Sequence, residues 1–208
     1  MTKPSRGQRP YHHGNLPVVL AAAAEAVVRE QGVHDFSLRE CARRAGVAHS
    51  APGHHFGDVT GLLSEVAARG FDRLTGSMRQ ERGATTGPEA LKSIGRGYVA
   101  FALRDPAIFE LMFHSDRVDG KNSRLQQAGT AAFQELVDAV AQARGSDIRD
   151  EEALRFAWAA VHGLAMLLIN GALSGQGAAR KAPPTIDGVV DRIVFTILHY
   201  ESGATTDG

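Results

Sequence analysis

One cysteine, one tryptophan and no net charge stand in a chain of 208 residues. The lone thiol, Cys41, has no second cysteine to bond with, which excludes an intrachain disulfide and a cysteine-built zinc site, and with them any pointer to an oxidising compartment. Long apolar runs are scarce too. The longest, Val18 to Val28 and Leu164 to Ile169, are broken by Glu25 or fall far short of the ~20 residues that span a bilayer, so no membrane helix and no membrane partner are expected. Met1 to Asn15 is polar and lacks the apolar stretch of a secretion signal, and the cytoplasm is the expected location. Neither a nucleophile elbow, a phosphate loop nor a dinucleotide fingerprint occurs, so no catalytic residue and no cofactor are assigned. Alternating β-branched runs are missing, whereas apolar residues recur at helical spacing; the fold class is all-α.

The balanced charge conceals an asymmetry. Residues 1–57 carry seven basic side chains against four acids, a local excess of +3, while the remainder carries 16 against 19. Six of the nine histidines also lie in the first segment, and each can gain positive charge beside a polyanion that raises its pKa. The first 13 residues, with Lys3, Arg6 and Arg9 among Pro, Ser and Gly, have the composition of a flexible basic arm.

Cap and stop residues divide the rest. Asn15, with Pro17 in the first turn, opens a helix that runs to Gln31, where Gly32 stops it. Ser37 opens a second, Glu40 completes a capping box, and Gly46 closes it. A short third lies between Ala48 and Phe56, and Asp58 caps a longer fourth. Beyond the Gly83–Gly87 break, Pro88 opens a helix to about Arg104, and Asp105-Pro106 caps a short apolar one over Ala107 to Phe113. Two long helices span about Ser123 to Arg144 and Asp150 to Leu173, and a last one ends near Tyr200.

The joint Ala45-Gly46-Val47 between the second and third helices has the spacing of a helix-turn-helix (residues 37–56), whose second helix lies in the DNA major groove. Leu38, Cys41, Ala42 and Val47 can form its small core, which leaves Arg39, Arg43 and Arg44 for solvent or phosphate. Ser37-Leu-Arg-Glu-Cys-Ala-Arg-Arg-Ala-Gly-Val-Ala-His-Ser-Ala-Pro-Gly-His-His-Phe56, followed by Gly-Asp-Val-Thr-Gly-Leu-Leu63, resembles the DNA-binding segment of tetracycline-repressor (TetR) type regulators over about residues 14–74. Many members have Ser, Leu and Tyr where this chain has Ala48, Pro52 and Gly53, so a cap and a phosphate-contacting hydroxyl are missing and contacts must be reassigned. With Ser50 as cap, Pro52 sits harmlessly in the first turn. Ser50 and Ala51 then bring a helix start to phosphate, while His49 and His54 reach phosphates or base edges. Phe56 reads as core rather than contact. The resemblance implies that Ser37 and Arg39 hold the DNA backbone, and the basic arm with Arg6, Arg9 and Tyr11 is suited to the adjacent minor groove.

The same resemblance implies that the N-terminal part is a three-helix DNA-binding domain and that residues 75–208 form a larger helical domain. That domain would bind an effector and dimerise through its last two long helices. Broad apolar stripes there, Ala153 to Leu168 and Ile186 to Leu198, agree, although an internal core explains them nearly as well. Dimerisation also has a mechanical reason, since two recognition helices about 34 Å apart can read a palindromic operator. Trp158, His162 and Gly163 form a Trp-Xaa-Xaa-Xaa-His-Gly pattern similar to a feature of one branch of the family, and Trp158 and His162 share a helix face. Candidates for an effector pocket are Phe101, Phe109, Met112, Phe113, Trp158, His162, Met166 and Asn170, with ordinary core packing as the competing role for the aromatic residues and for His162. The expected function is a homodimeric repressor that leaves double-stranded DNA when a small molecule occupies this domain. If His49 or His54 binds while protonated, DNA affinity falls as pH rises from about 6 to 8.

Two other readings use the same residues. The cluster His49, His54 and His55 suggests a metal-sensing regulator, but adjacent side chains on a helix point about 100° apart. Glu110 and His114 share a helix face without the remaining ligands of a metal site, so no metal is assigned. A helical interaction module without DNA affinity would show none of the steep salt dependence of a DNA binder.

Overall fold

The computed structural model describes residues 16–113, 116–146, 150–173 and 185–199. Among the described residues the secondary structure is helical throughout: α1 (Leu16–Gln31), α2 (Leu38–Ala45), α3 (Ala51–Phe56), α4 (Val59–Arg82), α5 (Gly87–Arg104), α6 (Pro106–Phe113), α7 (Ser123–Arg144), α8 (Glu151–Ile169) and α9 (Ile186–His199). Local chemistry accounts for most of the boundaries. Ser37 Oγ accepts the Glu40 N–H at 3.3 Å, Asp58 accepts from Gly61 at 2.8 Å, and Asn122 accepts from Leu125 at 3.0 Å. Gly46 and Gly145 close α2 and α7 in the left-handed conformation, with φ of 67° and 63°.

Several boundaries depart from the sequence reading. The capping box at α2 is half made, because the Glu40 carboxylate bonds Arg43 and Arg44 instead of turning back to Ser37. Ser50 precedes α3 and Pro52 sits in its first turn, but Ser50 has helical dihedrals (φ −78°, ψ −15°) and makes no side-chain cap. Asp105 caps α6 only through its backbone carbonyl, which accepts the Phe109 N–H at 2.9 Å; its carboxylate is taken by Arg29. α8 stops at Ile169 rather than Leu173, where Asn170 caps the chain and Gly171 turns it with φ of 66°.

α4 is the spine. It packs against α5, α7, α6, α1 and α3, so a single 24-residue helix runs from the helix-turn-helix into the larger bundle. Its crossing with α5 depends on Gly97, where an added Cβ would lie 2.8 Å from both Met78 Cα and Ser77 O. That close approach lets Ser77 Oγ donate to the Gly97 carbonyl at 2.9 Å. The core is continuous from Leu20, Val27 and Cys41 through Leu62 and Leu63 to Phe101, Phe109 and Leu154.

α8 qualifies the expectation that no membrane helix exists: its 19 residues are long and apolar enough to cross a bilayer by length and composition. The reading from uninterrupted runs missed it because Arg155 and His162 break the apolar stretch that the helix carries as a whole. Here Ala153, Ala157, Val161, Leu164 and Ala165 are buried in the bundle against α5 and α9.

Candidate functional site

The helix-turn-helix presents an exposed surface made by Arg39 on α2, by His49 and Ser50 before α3, and by His54 on α3; Ser37 and Ala51 are half-buried at its edge. Phe56 packs against the core. Arg39 has no ion-pair partner among the described residues, which leaves its guanidinium available to an anion. Arg43 and Arg44 are ion-paired, although Arg43 still faces solvent as the sequence reading allows. Arg43 holds Glu40 through two 2.7 Å bonds, and Arg44 joins Glu40 to Glu30 at 2.7 Å each. The guanidinium of Arg43, then that of Arg44, pushes the Glu40 carboxyl down to about 2. Arg6, Arg9 and Tyr11 lie outside the described residues, as do the arm as a whole and His114. Among the described residues no three His, Cys, Asp or Glu side chains gather as a metal site would require, so His49, His54 and His55 do not form one there.

A cavity of ≈ 630 Å³ opens between α4, α5, α7, α8 and α9. Phe71, Leu74 and Met78 line it from α4, Ile94 and Tyr98 from α5, Phe133 and Leu136 from α7, and Val190 and Val194 from α9. Of the eight residues proposed from sequence, Phe113 and Trp158 reach this lining. Phe101 and Phe109 are fully buried in the core, Met112 packs against Gly70 of α4, Met166 is half-buried, and Asn170 is exposed at the end of α8. His162 stands one contact behind the wall: its Nδ1 lies 2.9 Å from the Tyr98 hydroxyl, with Phe109 stacked on its ring and Phe113 edge-on at 4.5 Å. Burial holds the His162 pKa below the ordinary histidine value and raises that of the Tyr98 phenol, which the Trp158 indole opposes. Sequence reasoning missed Tyr98, although an aromatic ring with a polar tip amid the apolar residues of α5 was a readable signal.

An ion cluster ties the two parts together. Arg29 on α1 grips Asp105, at the α5–α6 junction, through bonds of 3.1, 3.2 and 2.7 Å. Glu25, also on α1, lies 3.1 Å from Arg73 on α4 and 3.4 Å from Arg29. Both carboxylates are nearly buried, so their charges depend on these partners. α6 then packs on α1 and α4 together, and its last residue, Phe113, reaches the cavity.

Comparison with known proteins follows this division. Residues 20–66 match the model of bacterial regulatory proteins of the tetR family, and residues 91–193 match that of the tetracyclin repressor-like C-terminal domain. Over 105 residues the chain is 27% identical to YobS, an uncharacterised HTH-type transcriptional regulator of Bacillus subtilis (strain 168); the match spans 49% of this chain and 54% of that relative. A solved protein of unknown function from Rhodococcus sp. RHA1 is 36% identical, with a TM-score of 0.70 over 92% of this chain and 97% of that one. The TetR-like regulator LfrR from Mycobacterium smegmatis, solved in complex with proflavine, shares the fold at 17% identity, with a TM-score of 0.55 over 89% and 96% of the two chains. With one model on the helix-turn-helix, another on the bundle that holds the cavity, and α4 running through both, the chain belongs to the TetR family of transcriptional regulators, DNA-binding proteins rather than enzymes.

Proposed function

We propose that the protein is a homodimeric repressor, resident in the cytoplasm, that leaves a palindromic operator when a small molecule enters the cavity. The carrying observation is that one helix serves both ends: α4 starts beside α3, and its Phe71, Leu74 and Met78 wall the cavity. Residues 1–13 act as the arm, 14–74 as the DNA-binding domain, and 75–208 as the effector and dimer domain. Arg39 and Ser37 hold phosphates, His49, Ser50, Ala51 and His54 meet the groove, and Arg6, Arg9 and Tyr11 follow the adjacent minor groove. Trp158 and His162, with Gly163, serve the effector side as the branch pattern suggests. The exposed Phe156, Leu167 and Phe195 of α8 and α9 supply an apolar surface for the second protomer.

Release is a population shift. An effector that displaces Phe113 displaces α6, whose start is bound to α1 through Asp105 and Arg29, so the cavity and the reading head favour or disfavour the same arrangement. Fluorescence anisotropy with the DNA flanking the protein's own gene tests the reading. Arg39→Ala is expected to weaken binding about tenfold and to lower the salt slope by about 1 per protomer. Arg43→Ala, whose charge Glu40 already offsets, is expected to have a smaller effect. Binding of the parent protein no tighter than to random DNA overturns the proposal.

A further inference from the structure

The chemistry of the cavity wall goes further and names the class of molecule it takes. Among the described residues, the lining carries no Asp, Glu, Lys or Arg. The nearest acidic neighbour in sequence, Glu135, sits between lining residues Gln134 and Leu136, yet it is buried against Arg79 at 2.7 Å and Arg82 at 3.7 Å, so its charge is already matched outside the cavity. An ion entering such a space would lose its water and find no counter-charge, a cost that a neutral molecule of the same shape avoids. Aromatic rings frame the space in one chain: Phe71 meets Phe113 edge-on at 5.6 Å, Phe113 meets Trp158 at 6.5 Å, and Trp158 meets Phe133 edge-on at 6.1 Å. Such rings favour a flat, unsaturated ligand.

Two wall residues, the buried Tyr98 and the half-exposed Trp158, carry polar tips that meet each other. The Tyr98 hydroxyl is bonded to His162 Nδ1. The Trp158 indole N–H donates to the same oxygen, so with His162 Nδ1 accepting the phenolic proton one lone pair remains to accept a further hydrogen bond. Thr130 and Gln134 add polar groups on the exposed side of α7, at the rim rather than in the interior.

We infer that the cavity selects an uncharged, aromatic effector carrying one hydrogen-bond donor, with that donor seated on the hydroxyl of Tyr98. The inference rests on the reading above that this cavity is the effector site. A matched pair of dyes tests it: N-phenyl-1-naphthylamine is neutral with one N–H, and 1-anilinonaphthalene-8-sulfonate is the same skeleton with an anionic group. Trp158 is the chain's single tryptophan and lines the cavity, so energy transfer from its emission reports a dye bound in or near this site. In the full-length protein the neutral dye is expected to quench Trp158 saturably, at one dye per chain, and to bind at least tenfold tighter than the sulfonate. Tyr98→Phe, which keeps the ring, is expected to weaken the neutral dye about fivefold, close to the loss of one hydrogen bond. Equal or tighter binding of the sulfonate, or no response of Trp158 to either dye, overturns the charge selection; unchanged affinity in Tyr98→Phe overturns the anchor. Operator binding measured at saturating neutral dye separates the two readings. Selective binding that leaves operator affinity unaltered counts against release from this cavity and supports the selectivity on its own.

Discussion

The α4–α5 crossing allows one chemical change to be tested with opposite signs at two sites. Gly76 lies in the C-terminal half of α4, exposed, and a Cβ there would meet nothing within 4 Å. Gly76→Ala therefore gains helix propensity without steric cost, and is expected to stabilise the fold by about 0.5–1 kcal/mol. Gly97 lies in the middle of α5, so Gly97→Ala gains the same propensity. Its Cβ, however, would stand 2.8 Å from Met78 Cα, 2.8 Å from Ser77 O and 3.1 Å from Met78 N. These are backbone atoms that cannot rotate aside. Restoring ordinary carbon contacts of about 3.5 Å means parting the two helices by roughly 0.7 Å. Overpacking of that kind costs about 1–3 kcal/mol, and the Ser77 to Gly97 bond of 2.9 Å, worth about 1 kcal/mol, is stretched as well. Less the propensity gain, the net is a destabilisation of about 1–3 kcal/mol. Thermal unfolding followed by circular dichroism is the assay, and in a chain of this size about 1 kcal/mol moves Tm by roughly 2–4 °C. Gly76→Ala is expected to melt about 2 °C higher than the parent, and Gly97→Ala several degrees lower. A Gly97→Ala protein that melts with or above the parent refutes the account of the crossing.

Two further outcomes follow from charged and titrating groups. Asp105→Asn removes the counter-charge of Arg29 and is expected to speed amide exchange in α1 several-fold while leaving α7 unchanged; equal exchange in both helices, at parent rates, would show that the pair couples nothing. The His162 pKa is held below its usual value by burial, so the unfolded chain takes up the proton first: the contribution of a neutral His162 is fully present above about pH 6.5 and is lost as pH falls through it. The stability difference between the parent and His162→Asn is expected to shrink on acidification across that range in urea titrations, and parallel curves would contradict it.

Helix positions were legible because their signals are local. Ser37, Asp58, Gly46 and Gly145 fix boundaries through bonds within a few residues, and the span Ser123 to Arg144 is found as read. The cavity was not legible for the opposite reason. Periodicity marks Phe109 and Phe133 alike as apolar, but only the packing of six helices decides that Phe109 fills the core while Phe133 borders a void. The engagement of Arg43 and Arg44 falls between these cases. Glu40 precedes them by three and four residues, a spacing at which helical side chains meet, so that part of the pairing could have been anticipated; the bond from Arg44 to Glu30 spans 14 residues and needs the fold.

That pairing has a cost in attraction. By keeping a carboxylate of its own against two guanidiniums beside the reading head, the chain supplies an internal counter-ion that any phosphate must compete with. If Arg43 and Arg44 approach phosphate, this competition weakens the electrostatic term, which supplies nearly all of the attraction to arbitrary sequence. A regulator equipped in this way spends less of its time bound to the wrong stretches of a chromosome.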